Sequence, residues 1–171
     1  MATDSSTALI TGGTSGIGRA AANKLSQLGI HVVVVGRHVE RGEKTVAEIR
    51  AAGGKADFIS SDLQNASSAR EVARRAVELG NGHVDILINN AGIFPFGLTH
   101  EMTEELFESV YSLNVKVPYF LVAELAPLMA KRGKGADRQC IDDGCRLRGG
   151  RYESLWLEQS RHQSAHQSVG G

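Results

Sequence analysis

A glycine-rich turn between an apolar run and a helical pattern constrains the fold of this chain more than any other feature. The turn reads Thr-Gly-Gly-Thr-Ser-Gly-Ile-Gly over residues 11–18, directly after the apolar residues 8–10. Glycine permits positive φ and close approach of a ligand, and the N–H groups that begin a helix attract anions. The turn predicts a pyrophosphate site, with an ordinary β–α turn as the alternative. Its expected contributors are Thr11, Gly12, Thr14, Ser15, Gly16, Ile17 and Gly18.

Strand-like and helix-like segments alternate after this turn. A helix with an apolar stripe through Ile17, Leu25 and Leu28 leads into the β-branched run His31–Gly36, which is typical of a strand buried on both faces. The alternation predicts an α/β fold with a parallel sheet. The remaining segments are helices at 39–52 and Ala66–Leu79, strands at Ala56–Ser60 and 84–88, and a long helix that begins after the N-cap residue Thr103.

Arg37 directly follows the second strand, at the position where a dinucleotide-binding fold selects its cofactor. A carboxylate at this position would accept hydrogen bonds from the ribose 2′-hydroxyl, whereas a guanidinium pairs with a 2′-phosphate. The arginine therefore favours NADP(H) over NAD(H). A solvated loop arginine is the alternative interpretation.

Polar and small residues follow the third and fourth strands as well. Asp62, with Leu63 beside it, is placed to accept from an adenine amino group, although an Asx-type turn into the next helix explains the same position equally well. After the fourth strand, Asn89, Ala91 and Gly92 are expected to line the floor beside the cofactor, with a plain turn as the alternative.

The long helix contains a polar residue that helices disfavour and two prolines. Asn114 is a poor helix former, so its position inside the helix indicates a polar role. Pro118 and Pro127 predict kinks or breaks in the same helix.

Composition narrows the class of protein. A chain of 171 residues with 42% apolar content can bury one core, and its net charge of zero indicates no nucleic-acid partner. The N-terminus lacks signal-peptide features and no apolar run is long enough to span a bilayer, so we expect a cytoplasmic protein without a membrane partner. Cys140 and Cys145, with His162 and His166, have zinc-like spacing but lack a finger's apolar core, so no metal site is expected.

The glycine turn, Asp62-Leu63, the Asn-Asn-Ala-Gly segment at 89–92 and Asn114 together resemble the short-chain dehydrogenase/reductase family of the classical type, over about residues 8–135. The resemblance implies a Rossmann-type, doubly wound parallel sheet and an NAD(P)(H) cofactor. It also implies hydride transfer between a carbonyl and an alcohol on a small-molecule substrate, and assembly into homo-oligomers.

The resemblance is incomplete at the catalytic residues. The family's chemistry uses a tyrosine, a lysine one helical turn later, a serine and an asparagine, and this chain matches only the asparagine, as Asn114. No tyrosine here is followed by a lysine four positions later, and the last lysine is Lys134. We therefore expect an NADP(H)-dependent oxidoreductase by descent with absent or trace turnover. A dinucleotide-binding module without catalysis is the alternative.

Residues 136–171 differ in character from residues 1–135, which we interpret as the dinucleotide-binding domain. This tail is rich in Arg, Gln, Ser, Gly and His, and it lacks the apolar strand that the fold requires next. The sequence therefore predicts a disordered tail and a truncated sheet of four strands in the order 3-2-1-4, with the fourth strand as an open edge. A single-base frame change near Gly135 explains the tail.

We predict that the gene, read one base later over residues 137–143, encodes Ile-Val-Asn-Val-Ser-Thr-Met in place of Asp-Arg-Gln-Cys-Ile-Asp-Asp. The same frame over residues 154–160 should encode Leu-Tyr-Gly-Ser-Ser-Lys-Ala, which restores a tyrosine–lysine pair. Sequencing the gene measures this directly. A nucleotide sequence that does not encode both segments in one frame would refute the hypothesis.

Overall fold

A parallel sheet of five strands lies between two layers of helices in the computed structural model, which describes residues 6–139. The strands are β1 (Thr7–Thr11), β2 (His31–Gly36), β3 (Ala56–Ser60), β4 (Ile86–Asn89) and β5 (Ala136–Gln139). The α-helices are α1 (Gly16–Gln27), α2 (Val39–Ala51), α3 (Ala66–Leu79), α4 (Glu104–Tyr111) and α5 (Val117–Arg132), with a 3₁₀ turn at Thr99–Glu101 and a π-helical turn at Ser112–Lys116.

The central strands are buried on both faces, as the β-branched run of β2 predicts. Val32 to Val35 have no exposed surface, and their side chains alternate between two apolar clusters on opposite faces of the sheet. One cluster includes Val46 and Ile49 of α2, and the other includes Leu121 and Leu125 of α5. The sequence prediction of an α/β fold with a doubly wound parallel sheet is therefore confirmed.

The strand order is β3-β2-β1-β4-β5, and this order confirms the predicted arrangement of the first four strands. The predicted open edge at β4 is wrong, because β5 pairs with it in parallel from Ile86↔Ala136 to Asn89↔Gln139. Strand pairing uses backbone groups, and the Ala136 N–H donates to the Asp85 carbonyl at 2.9 Å. A segment with polar side chains can therefore occupy the edge position.

The helical run from Glu104 to Arg132 continues through both prolines. Pro118 follows a π-helical turn, and the missing N–H and bulky ring of proline favour such a widening. At Pro127 the helix continues to Arg132, so of the kink or break predicted there a break does not occur. By length and composition this run of 29 residues would be able to cross a membrane, which corrects the expectation that no apolar run is long enough.

The face that the first helix presents to the sheet agrees only in part with the predicted apolar stripe, of which Ala21 and Leu25 pack partly buried against the core. Ile17 and Leu28 are 40% and 66% exposed, whereas Gly18, Ala22 and Ser26 are buried. A Cβ on Gly18 would lie 2.5 Å from the Gly12 carbonyl oxygen, so the start of the helix lies directly against the turn that precedes it. The fully buried positions of α1 are therefore small residues, with Leu25 partly buried beside them.

We predict that Leu121→Ala lowers the free energy of unfolding by about 2–5 kcal/mol, because truncation of a buried leucine leaves a cavity between α5 and the sheet. Leu121 has no exposed surface, whereas Leu28 is 66% exposed and provides a matched control. Urea unfolding should show a loss below about 0.5 kcal/mol for Leu28→Ala. Equal losses in the two variants would contradict the described packing of α5.

Candidate active site

A hydrogen-bonded clamp joins the carboxyl ends of β1 and β4. The Thr11 hydroxyl accepts from the backbone N–H groups of Asn90 and Ala91, both at 3.0 Å. The Asn90 side-chain amide in turn donates to the carbonyls of Thr11 at 3.0 Å and Gly12 at 3.2 Å. The glycine turn and the Asn-Asn-Ala-Gly segment are therefore held together by reciprocal bonds.

The glycines of the turn serve different purposes. Gly12 has a φ of +64°, and a Cβ there would lie 2.9 Å from the Asn90 amide nitrogen, so this glycine permits the clamp to close. Gly18 permits the same close approach, since its Cβ would lie 2.4 Å from that nitrogen. Gly16 has a φ of +52° and faces open space. Of these three glycines, Gly16 is the one that is required by its positive φ alone and not by a close contact.

The N-terminus of α1 offers donors to that open space. Ser15 occupies the N-cap position in an extended conformation, and its side chain makes no capping hydrogen bond. The first N–H groups of a helix have no acceptor within the helix, and they carry the positive end of its dipole. This geometry fits the pyrophosphate predicted from the sequence.

A cleft of about 340 Å³ extends from this turn along the carboxyl ends of the strands. Its volume lies within the range of roughly 300–1,000 Å³ that is usual for ligand pockets. Eight of the residues predicted for the cofactor line it, namely Gly12, Thr14, Ser15, Arg37, Asp62, Leu63, Ala91 and Gly92. Asn90, from the segment predicted to form the floor, also lines the cleft, and sequence reasoning missed a further set, which comprises Val35, Gly36, His38, Arg41, Ser61, Ile93 and Leu113.

Opposite charges face each other at the end of the cleft next to β2 and β3. Arg37 is 65% exposed, and its Nε lies 3.9 Å from a carboxylate oxygen of Asp62. Asp62 also accepts from the side-chain amide of Gln64. The cap of α3 is Asn65, whose side chain accepts from the Ser68 N–H at 2.9 Å, so Asp62 does not cap that helix.

Asn114 holds the segment that follows the cleft floor. Its side-chain amide donates to the Ile93 carbonyl at 2.9 Å, and its side-chain oxygen accepts from the Ile93 N–H at 3.0 Å. The residue lies in the π-helical turn Ser112–Lys116. The expected polar role of this asparagine is thus visible as a two-bond link between the long helix and the end of β4.

Asn89 lies outside the cleft-lining set. It is 2% exposed, and its amide nitrogen donates to a carboxylate oxygen of Asp137 on β5 at 3.2 Å. Within residues 6–139, its side-chain oxygen has no hydrogen-bond partner. Desolvation raises the pKa of Asp137, while the bond from Asn89 opposes that rise.

Four further residues predicted for the cofactor site do not line the cleft. Thr11 is 2% exposed and belongs to the clamp, while Gly16, Ile17 and Gly18 form the first turn of α1. The cysteine and histidine pairs considered for zinc lie outside the described residues. The arrangement as a whole fits a dinucleotide, with helix N–H donors at its centre and an arginine at one end.

We predict that Thr11→Val lowers the free energy of unfolding by about 1–3 kcal/mol, because two backbone N–H groups lose their acceptor. Thr11→Ser keeps the hydroxyl and should lose clearly less. Urea unfolding of the two variants measures the difference. If the valine variant proves as stable as the serine variant, the clamp does not contribute to stability.

Comparison with known proteins places this fold and site in one family. The family model for short chain dehydrogenases matches residues 6–136. An uncharacterized oxidoreductase of Thermotoga maritima is 40% identical over 127 residues, which cover 74% of this chain and 49% of that protein. An L-rhamnose 1-dehydrogenase (NAD(P)(+)) of a Sphingomonas species is 34% identical, with 86% of this chain and 58% of that protein covered.

A solved structure has the same architecture. A metagenomic short-chain oxidoreductase in complex with NADP superimposes with a TM-score of 0.75 at 30% identity, with 96% of this chain and 79% of that chain covered. The present chain spans about half the length of the curated relatives described above. With the match over residues 6–136, the parallel sheet and the glycine-lined cleft, the chain belongs to the short-chain dehydrogenase/reductase family of oxidoreductases.

Proposed function

We propose that this chain binds NADP(H) in the cleft along the carboxyl ends of β1, β2 and β4. The observation that carries the proposal is the position of Arg37, which lines the same cleft as the glycine turn and stands directly after β2. No carboxylate occupies that position to accept from a ribose 2′-hydroxyl. The NADP complex of the metagenomic relative supports the same choice of cofactor.

Each part of the cleft suits one part of the dinucleotide. The uncapped start of α1, at Ser15 and Gly16, would hold the pyrophosphate. Asp62 and Leu63 would flank the adenine, and Ala91 with Gly92 would form the floor toward the nicotinamide. When bound, the cofactor supplies a hydride donor or acceptor for a carbonyl or alcohol substrate.

The sequence of this chain does not contain the tyrosine–lysine pair that the family uses for catalysis. A tyrosine transfers protons poorly near neutral pH unless a cation lowers its pKa of roughly 10. None of the three tyrosines has a lysine four positions later. We therefore propose binding with absent or trace turnover. Asn114 then acts as a positioning residue for the segment at Ile93.

We propose that residues 136–171 are the product of a shifted reading frame, of which residues 136–139 form the edge strand β5 of the dinucleotide-binding domain. The strand β5 supports this proposal, because it places Asp137 beside the buried Asn89 and opposite Leu87. An apolar side chain would suit that position in a parallel sheet better.

Assembly into homo-oligomers stays a prediction, as does a cytoplasmic location. An exposed stripe along the long helix supports self-association. Phe107, Tyr111, Val115 and Tyr119 recur at intervals of four residues, and each is about half exposed.

We predict that the full chain binds NADP⁺ more tightly than NAD⁺ and that Arg37→Met weakens NADP⁺ by about tenfold, because one charge-assisted pair with the 2′-phosphate is lost. Affinity for NAD⁺ should stay within about twofold. Isothermal titration calorimetry measures both constants. Arg75→Met removes an exposed arginine of α3 outside the cleft and is the matched control.

Two results would count against the proposal. Failure of the folded chain to bind either dinucleotide would overturn the binding function. Rapid oxidation of NADPH in the presence of a carbonyl panel, followed by its absorbance, would overturn the assignment of absent or trace turnover.

A further inference from the structure

A second arginine lies at the same end of the cleft as Arg37. Arg41 is an exposed residue in the first turn of α2, and it lines the cleft together with Arg37 and His38. We propose that Arg41 is a further specificity-determining residue, which binds the 2′-phosphate of NADP(H) alongside Arg37. This inference rests on the proposed function, since it requires a dinucleotide in the cleft.

The two arginines differ in what already surrounds them. The Nε of Arg37 lies 3.9 Å from a carboxylate oxygen of Asp62, so part of the charge on Arg37 is already offset. Arg41 forms no ion pair with any residue from 6 to 139. A phosphate dianion that entered this end of the cleft would therefore find the charge of Arg41 free of an ion pair, whereas the charge of Arg37 is partly offset by Asp62.

Close packing fixes the turn that carries Arg41. A Cβ on Gly42 would lie 2.2 Å from a ring carbon of Phe58, so this part of α2 lies directly against β3. The Thr45 hydroxyl donates to the Arg41 carbonyl at 2.8 Å and holds the backbone of the same turn. The rotation of α2 about its axis is thus set by contacts with β3, which leaves Arg41 at the cleft.

The end of β2 lies equally close to the glycine turn. A Cβ on Gly36 would lie 2.6 Å from the methyl group of Thr14, so the two segments touch. This contact brings Arg37 and the first turn of α2 beside the turn proposed to hold the pyrophosphate. A ribose attached to a pyrophosphate at that turn would therefore have both arginines close by in the same cleft.

The balance of charge at this end favours a phosphate. Arg37 and Arg41 supply two permanent positive charges, and Asp62 supplies the one carboxylate among the residues that line the cleft. Glu40 also belongs to the first turn of α2, but it is not among the cleft-lining residues. A 2′-hydroxyl carries no charge and gains little from this excess of positive charge. The effect of Arg41 should therefore be confined to NADP(H).

The test compares Arg41→Met with Lys44→Met in the full chain. Lys44 is an exposed cation on the same helix and lies outside the cleft lining, so its loss changes the net charge equally. Calorimetry should show NADP⁺ binding about tenfold weaker in Arg41→Met and within about twofold of the parent in Lys44→Met. NAD⁺ binding should change by less than about twofold in both variants.

Arg41→Lys adds a second measurement that does not depend on loss of charge. A lysine keeps the charge but lacks the two-pronged geometry of a guanidinium, so its affinity for NADP⁺ should fall between those of the parent and Arg41→Met. Equal weakening of NADP⁺ and NAD⁺ in Arg41→Met, or no weakening of either, would overturn the role of Arg41 while leaving the dinucleotide site intact. A parent chain that binds neither dinucleotide would overturn both proposals.

Discussion

The hydrogen bonds between Thr11 and Asn90 set the geometry on which the cleft depends. Parallel strands end at the same edge of a sheet, but the loops that follow them come together only where hydrogen bonds or packing hold them. Here one hydroxyl accepts from two consecutive N–H groups, and one amide donates to two consecutive carbonyls. Burial makes each of these bonds costly to break, because the separated groups could not all reach water.

The glycines follow from this clamp. Because the Asn90 amide lies so close to the turn, a side chain at Gly12 or Gly18 would collide with it. The same crowding brings α1 against the sheet through small residues and leaves Ile17 exposed. Two glycines of a motif that is usually explained by its ligand are thus required first by the packing of the protein on itself.

Sequence reasoning identified the fold because hydrophobic periodicity and β-branched runs are local signals. It located Arg37, Asp62 and Ala91 on one cleft because the carboxyl ends of parallel strands must lie together. It placed the segment with Asn90 at the cleft floor but missed the role of this residue as a clamp, which comes from contacts with Thr11 and Gly12 that are distant in sequence. It also missed Arg41, since helical position alone does not show which way the first turn of α2 faces until Gly42 is seen against Phe58.

The strand β5 shows why a polar segment can mislead such reasoning. Gly133 ends α5 in the left-handed conformation, and Gly135 lies so close to Met129 that a Cβ there would be 2.5 Å from its side chain. These two residues return the chain to the sheet, where β4 offers unpaired backbone groups to any sequence.

The backbone of β5 pairs regularly with β4, but the side chains at this pairing match each other less well. Asp137 stays exposed on the edge strand, although nearby groups desolvate it enough to raise its pKa, and Asn89 is left with an oxygen that has no partner among residues 6–139. An isoleucine at position 137, as the shifted frame would encode, removes the desolvated carboxylate but also takes away the acceptor of the Asn89 amide. Under the frame-change hypothesis another group must satisfy Asn89, and in that frame the serine and threonine that follow the strand are the nearest hydroxyls in sequence.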